Sequence, residues 1–153
     1  MPEREIELPQ LVDDVELSSI SFFELSAVRS ENRSEGTSSA GGSEELEPVY
    51  FLHTAFRDDG AGFRIRIRTE VQAEIGSIVS DIAIEYDLTS LVPAQIDQTL
   101  MFAFVNEVAA MSLVPYIRQS IADITLRVFG ASLMMPLVRR GQMTFLPSTD
   151  ETS

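Results

Sequence analysis

The sequence contains no cysteine. Disulfides and thiol catalysis are excluded, and the composition fits a reducing compartment. Histidine is nearly as scarce, with His53 standing alone. A zinc site needs more His or Cys than this, and a Ser-His-Asp triad would have only His53 to build on, with no G-x-S-x-G stretch beside it. Neither G-x-G-x-x-G nor a phosphate loop is present. Lysine is absent too, so the 11 basic residues are all arginine against 24 acids, for a net charge of −13. So acidic a chain repels phosphates, which argues against a nucleic-acid partner; the charge would attract a basic partner or simply keep the chain soluble. The opening MPEREIELPQ has no apolar core of the kind a signal peptide needs. The longest apolar stretch, LMFAFVNEVAAMSLVPYI, carries Asn106, Glu107 and Pro115. A membrane span would have to bury that glutamate, so the stretch is expected to be the buried helix of a cytoplasmic protein.

What is there suffices for one domain. The chain has 153 residues and 44% hydrophobic content, enough for a sizeable core and too apolar for a disordered chain. An acidic segment occupies 1–14, a domain is expected over 15–145, and 146–153 is expected to be a short disordered tail. Within the domain, VELSSISFFELSAVR (15–29) resembles a strand with mixed faces. Residues 30–47 are rich in Ser, Gly and Glu and predict a flexible loop. PVYFLHTAFR (48–57) is a second strand, and DDGAG turns the chain. FRIRIRTEVQ (63–72) and IVSDIAIEYDL (78–88) alternate apolar and polar residues, the period of a half-buried strand. From Pro93 to Phe129 the period is helical, and Pro115 is expected to kink or split the helix. Ile117, Ile121, Ile124 and Val128 fall at i, i+4, i+7 and i+11, one buried stripe. Strands followed by helices predict an α+β fold: a four-stranded antiparallel sheet with a long kinked helix packed on one face.

The two alternating strands suggest their own register. With a turn near Ile75-Gly76, Phe63 would face Leu88, Ile65 would face Tyr86, and Ile67 would face Ile84. On the other face Arg64 would meet Asp87, Arg66 would meet Glu85, and Glu70 would meet Asp81 as an uncompensated acid pair.

No constellation points to catalysis. His53 on an alternating strand is expected to be structural, and Asp58-Asp59-Gly60 to be a turn before a metal loop. No enzyme, cofactor or metal is predicted. Nine Phe and six Met are the more distinctive content. Leu133, Met134 and Met135 sit outside any clean helical stripe, and flexible thioethers suit surfaces that accept varied partners.

The helix also carries a motif. Val114, Pro115, Tyr116 and Arg118 are followed by Asp123, Ile124, Thr125 and Arg127, then by Gly130 and Leu133-Met134-Met135-Pro136. This run resembles the SecB family of protein-export chaperones, and the strand order before it fits; the resemblance covers roughly 15–145. It implies a non-enzymatic holdase that grips unfolded preproteins in apolar grooves, assembles as a dimer of dimers with helices between two sheets, and delivers clients to the SecA motor. It also implies a possible toxin–antitoxin role, in which the client is an antitoxin. The alternative is a dedicated interaction subunit with no general export function. On this resemblance Phe22, Phe51, Leu133, Met134 and Met135 would bind clients. Tyr116, Ile117, Ile121, Ile124 and Val128 would form the oligomer interface. The family's motor contact falls on Val79-Ser80-Asp81, so Glu70, Val79 and Asp81 would dock the motor. A family aspartate on the first strand corresponds to about Ser19, and the family's second helix would follow Thr144-Phe145, where the sequence reads LPSTDETS.

Overall fold

The computed structural model describes residues 6–30, 47–135 and 145. The loop expected over 30–47 and the tail over 146–153 therefore lie almost wholly outside the described residues. Four strands form one antiparallel sheet: β1 (Val15–Arg29), β2 (Val49–Phe56), β3 (Gly62–Ala73) and β4 (Gly76–Leu88). Their order is β1-β4-β3-β2, so β1 and β2 are the edges. β3 and β4 start and stop within a residue or two of where alternation in the sequence does. On β3 and β4 the apolar positions Phe63, Ile65, Ile67, Val71, Ile78, Ile82 and Ile84 are buried, and the arginines of β3 project to the opposite face.

The register differs from the sequence expectation by two residues. Phe63 opposes Tyr86, Arg64 opposes Glu85, Ile65 opposes Ile84, and Glu70 opposes Val79. Side chains alternate with a period of two, so a two-residue shift changes every partner and leaves every face unchanged. The turn decides between the two registers: only Glu74 and Ile75 lie between the paired Ala73 and Gly76. Gly76 is required sterically. A Cβ there would overlap the Val28 carbonyl of β1 and meet the Phe129 ring at 2.8 Å.

Helix α1 (Leu8–Asp14) precedes the sheet, where the sequence suggested only an acidic segment. Gln10 caps it by accepting the Glu7 N–H at 2.8 Å, and Pro9 sits in its first turn, where no N–H is needed. Leu11 is wholly buried, and Asp14 clasps the far end of β4. Its carboxylate accepts the N–H groups of Thr89, Ser90 and Leu91 and, at 2.6 Å, the Ser90 hydroxyl.

The long helix runs from Gln98 to Phe129. Asp97 caps its start by accepting the Leu100 N–H at 2.8 Å. α2 (Gln98–Phe104) passes through a π-helical turn, Val105–Ala109, into α3 (Ala110–Phe129). Pro115 does not split the helix; the hydrogen-bond irregularity falls earlier, at the π turn. Gly130, with φ of 85°, ends α3 in the left-handed conformation. The helix runs back along β4. Phe104 stacks edge-on against Phe63 and Tyr86, Ser120 meets Ser80 at 3.4 Å, and Phe129 sits over Gly76. By length and composition this helix could cross a membrane, yet its apolar side is packed inside the protein, with Leu113, Ile117 and Ile121 buried.

Candidate functional site

The helix lies over the β1–β4 side of the sheet and leaves some inner-face side chains of β1 exposed. α3 lies against β4 and β1. On edge strand β1, Leu17, Phe22 and Leu25 oppose Tyr86, Ile82 and Ser80, all buried inner-face positions. They point to the same face as the core, yet remain 57%, 43% and 37% exposed. Irregularities between Leu17 and Ser19 and between Phe22 and Glu24 keep these side chains inward along a strand whose sequence does not alternate cleanly. The result is an open apolar strip along the free edge of the sheet, beside the long helix. Tyr116, Leu126 and Met134 add exposed apolar surface on the helix and just after it.

The outer face is built on charge. Arg66 donates to both oxygens of Asp81 at 2.8 and 2.9 Å. Arg68 bridges Glu24 at 2.9 Å and Glu70 at 2.7 Å, with a longer contact to Asp81 at 3.4 Å. Arg64 pairs with Glu85. Phe23, at a β1 irregularity, lies under the Arg66 and Arg64 guanidiniums at 4.1 and 5.0 Å. Hydrogen bonds from Arg66 hold the Asp81 carboxyl below the ordinary carboxylate range, outweighing the upward push of its burial.

This geometry corrects several sequence expectations. Asp81 is not an exposed acid opposite Glu70. It is 1% exposed, faces Arg68 across the strands, and is neutralised by two arginines, so it offers no free charge for a motor to dock on. Val79 and Glu70 oppose each other and are half-buried. Ile117 and Ile121 are buried against the sheet within a single chain; Tyr116 is exposed, and Ile124 and Val128 are half-buried. Phe22 and Phe51 cannot share one groove. Phe22 belongs to the inner face, whereas Phe51 opposes Arg68 on the outer face. Met135 is buried in the core, Leu133 is half-buried, and Met134 is exposed. His53 stands on the outer face opposite Arg66. Among the described residues no group of three His, Cys, Asp or Glu could hold a metal.

Asn106 escaped the sequence reading. It lies on the π turn and binds the backbone of Phe145, accepting its N–H at 2.7 Å and donating to its carbonyl at 2.9 Å. A lone amide in an apolar helix gave no signal of its own, and only the non-α turn marks its place.

No protein-family model matches the sequence, and no curated protein matches it significantly. Solved structures do. The Mycobacterium tuberculosis SecB-like chaperone Rv1957, in complex with a ChAD peptide from the Rv1956 HigA1 antitoxin, superposes with a TM-score of 0.69 at 14% identity, over 86% of this chain and 96% of that one. The fold is SecB-like. A Streptococcus agalactiae protein of unknown function matches with a TM-score of 0.49 at 12% identity, over 81% of this chain and 98% of that one.

Proposed function

We propose that this protein is a cytoplasmic, non-enzymatic holdase chaperone that binds unfolded polypeptide along the inner face of β1. The observation that carries the proposal is the strip of Leu17, Phe22 and Leu25, apolar and uncovered on a sheet of SecB-like fold. Exposed apolar side chains along a strand beside a helix suit extended, apolar client segments that a folded protein would keep buried. The neighbouring structure holds a peptide from an antitoxin. That favours a client of the same kind, an aggregation-prone antitoxin, over preproteins destined for SecA. Delivery to a SecA-like motor would have to use Glu70 and Val79 on the outer face without Asp81. Assembly into a homo-oligomer, with a dimer of dimers as the SecB-like expectation, would use Tyr116 and the half-buried Ile124 and Val128.

The test is suppression of aggregation of several unrelated unfolding proteins. A holdase suppresses all of them at near-stoichiometric ratios. Suppression of a single cognate antitoxin alone identifies a dedicated subunit, and suppression of none refutes the reading.

A further inference from the structure

After Gly130 the chain doubles back along its own helix, held by side-chain hydrogen bonds to backbone and by Leu133 and Met135 packed on the core. Ser132 Oγ donates to the Ala122 carbonyl at 3.1 Å. Thr125 Oγ1 accepts the Leu133 N–H at 2.8 Å, and Arg118 Nε donates to the Met135 carbonyl at 3.3 Å. At the other end of the helix, Asn106 binds both backbone groups of Phe145. An N–H and a carbonyl of one residue point the same way only in an extended chain, so Asn106 supplies the pair of bonds that a neighbouring strand would supply. Such bonds read no side-chain identity. Selection comes from the ring, which packs against the hydrophobic core beside them.

The placement of Asn106 is the second, independent observation. It lies in the π-helical turn Val105–Ala109, where the Ala110 N–H reaches back to the Val105 carbonyl. Such a turn sacrifices regular α bonding and recurs at functional positions. The Ser112 hydroxyl donates to the Val108 carbonyl of this turn at 2.9 Å, and Pro115 lies beyond the turn inside regular α3.

We infer that Asn106 and the adjoining apolar surface form a subsite for one bulky apolar residue of an extended client, and that the chain's own Phe145 occupies it until a client displaces it. The inference deepens the holdase reading by naming where client backbone is gripped. Phe145 is then an internal competitor, and weakening it should raise client affinity.

The probe is a fluorescein-labelled, uncharged Ser/Thr-rich peptide with a single phenylalanine, and its counterpart with serine in that place. Binding is followed by anisotropy on the full chain. Phe145→Ser is expected to bind the phenylalanine peptide at least tenfold more tightly than wild type, and the serine peptide no better. Adding Asn106→Ala to Phe145→Ser should abolish the gain. If that double variant does not fold by circular dichroism, Asn106→Asp replaces it, because it keeps an acceptor for the N–H and sets a second acceptor against the carbonyl. No gain in Phe145→Ser, or a gain that survives loss of the Asn106 amide, overturns the inference. So does a Phe145→Ser variant that dissociates into a smaller species on sizing without gaining peptide affinity, because Phe145 would then serve a second copy of the chain. Aggregation suppression by the β1 strip separates the two readings. If suppression stands and the gain is absent, this subsite fails alone; if the gain appears and suppression is absent, the wider reading fails and the subsite stands.

Discussion

Replacing Asp81 with asparagine removes one charge and almost no volume from a position that is 1% exposed. The wild-type carboxylate accepts two short bonds from Arg66, at 2.8 and 2.9 Å, and a longer one from Arg68 at 3.4 Å. Hydrogen bonds to charged groups contribute about 1.5–3 kcal/mol each. Both guanidiniums are about one-third exposed, so water recovers part of that on loss of the partner. A net loss of about 2 kcal/mol is expected, roughly 4–8 °C in Tm for a chain of this size. Asp81→Arg would place a third guanidinium between two others in a buried site and should cost about 3–5 kcal/mol, enough to prevent stable folding in a marginal domain. Acid provides an internal control. The pKa of Asp81 is depressed below its ordinary 3.8, first by the Arg66 hydrogen bonds. A depressed folded-state pKa stabilises fully above the unfolded-state value and loses that contribution as pH falls through the folded-state value. The gap between wild type and Asp81→Asn should therefore be constant from pH 7 to 5 and shrink below about 4. Urea unfolding across that range measures it. A gap under about 0.5 kcal/mol at pH 7, or one that persists undiminished into acid, would refute the reasoning.

Two further outcomes follow from the packing. Ile121→Asp puts a charge into a wholly buried position between helix and sheet, so it should yield insoluble or unfolded protein rather than a folded monomer; a soluble variant with native circular dichroism would count against that core. Asp14→Ala removes the acceptor for three backbone N–H groups and the Ser90 hydroxyl, and should cost about 1–2 kcal/mol and deprotect the Thr89–Leu91 amides in hydrogen exchange. Unchanged protection at those amides would show that α1 is held by apolar packing rather than by Asp14.

The sheet was legible because β3 and β4 each have one apolar and one charged face, and burial enforces that pattern strongly. Their register was not, because Asp87 and Glu85 are equally good partners for Arg64, and only the length of the Glu74-Ile75 turn separates the two alignments. That difference of two residues converts Asp81 from an exposed acid into the buried centre of an arginine pair. β1 was legible in extent but not in face, since its two irregularities move Phe22 inward and leave Phe23 outward. α1 was hidden by its short, acidic and proline-bearing sequence; its capping box and the single buried Leu11 are too brief to stand out from a charged terminus. Asn106 was hidden for a different reason. Its partner lies 39 residues away, and no local pattern announces a side chain that binds backbone.

The most direct test of the central claim is the affinity of the full chain for a permanently unfolded protein, compared with that of the triple variant Leu17→Ser, Phe22→Ser and Leu25→Ser. All three side chains are more than one-third exposed, so the variant should stay folded with a Tm close to wild type. Each side chain has roughly 1–2 kcal/mol of apolar burial still to gain from a client. Wild type is expected to bind at about micromolar affinity and the folded variant at least tenfold more weakly. Equal affinity in the two proteins, or no binding by wild type, would contradict it.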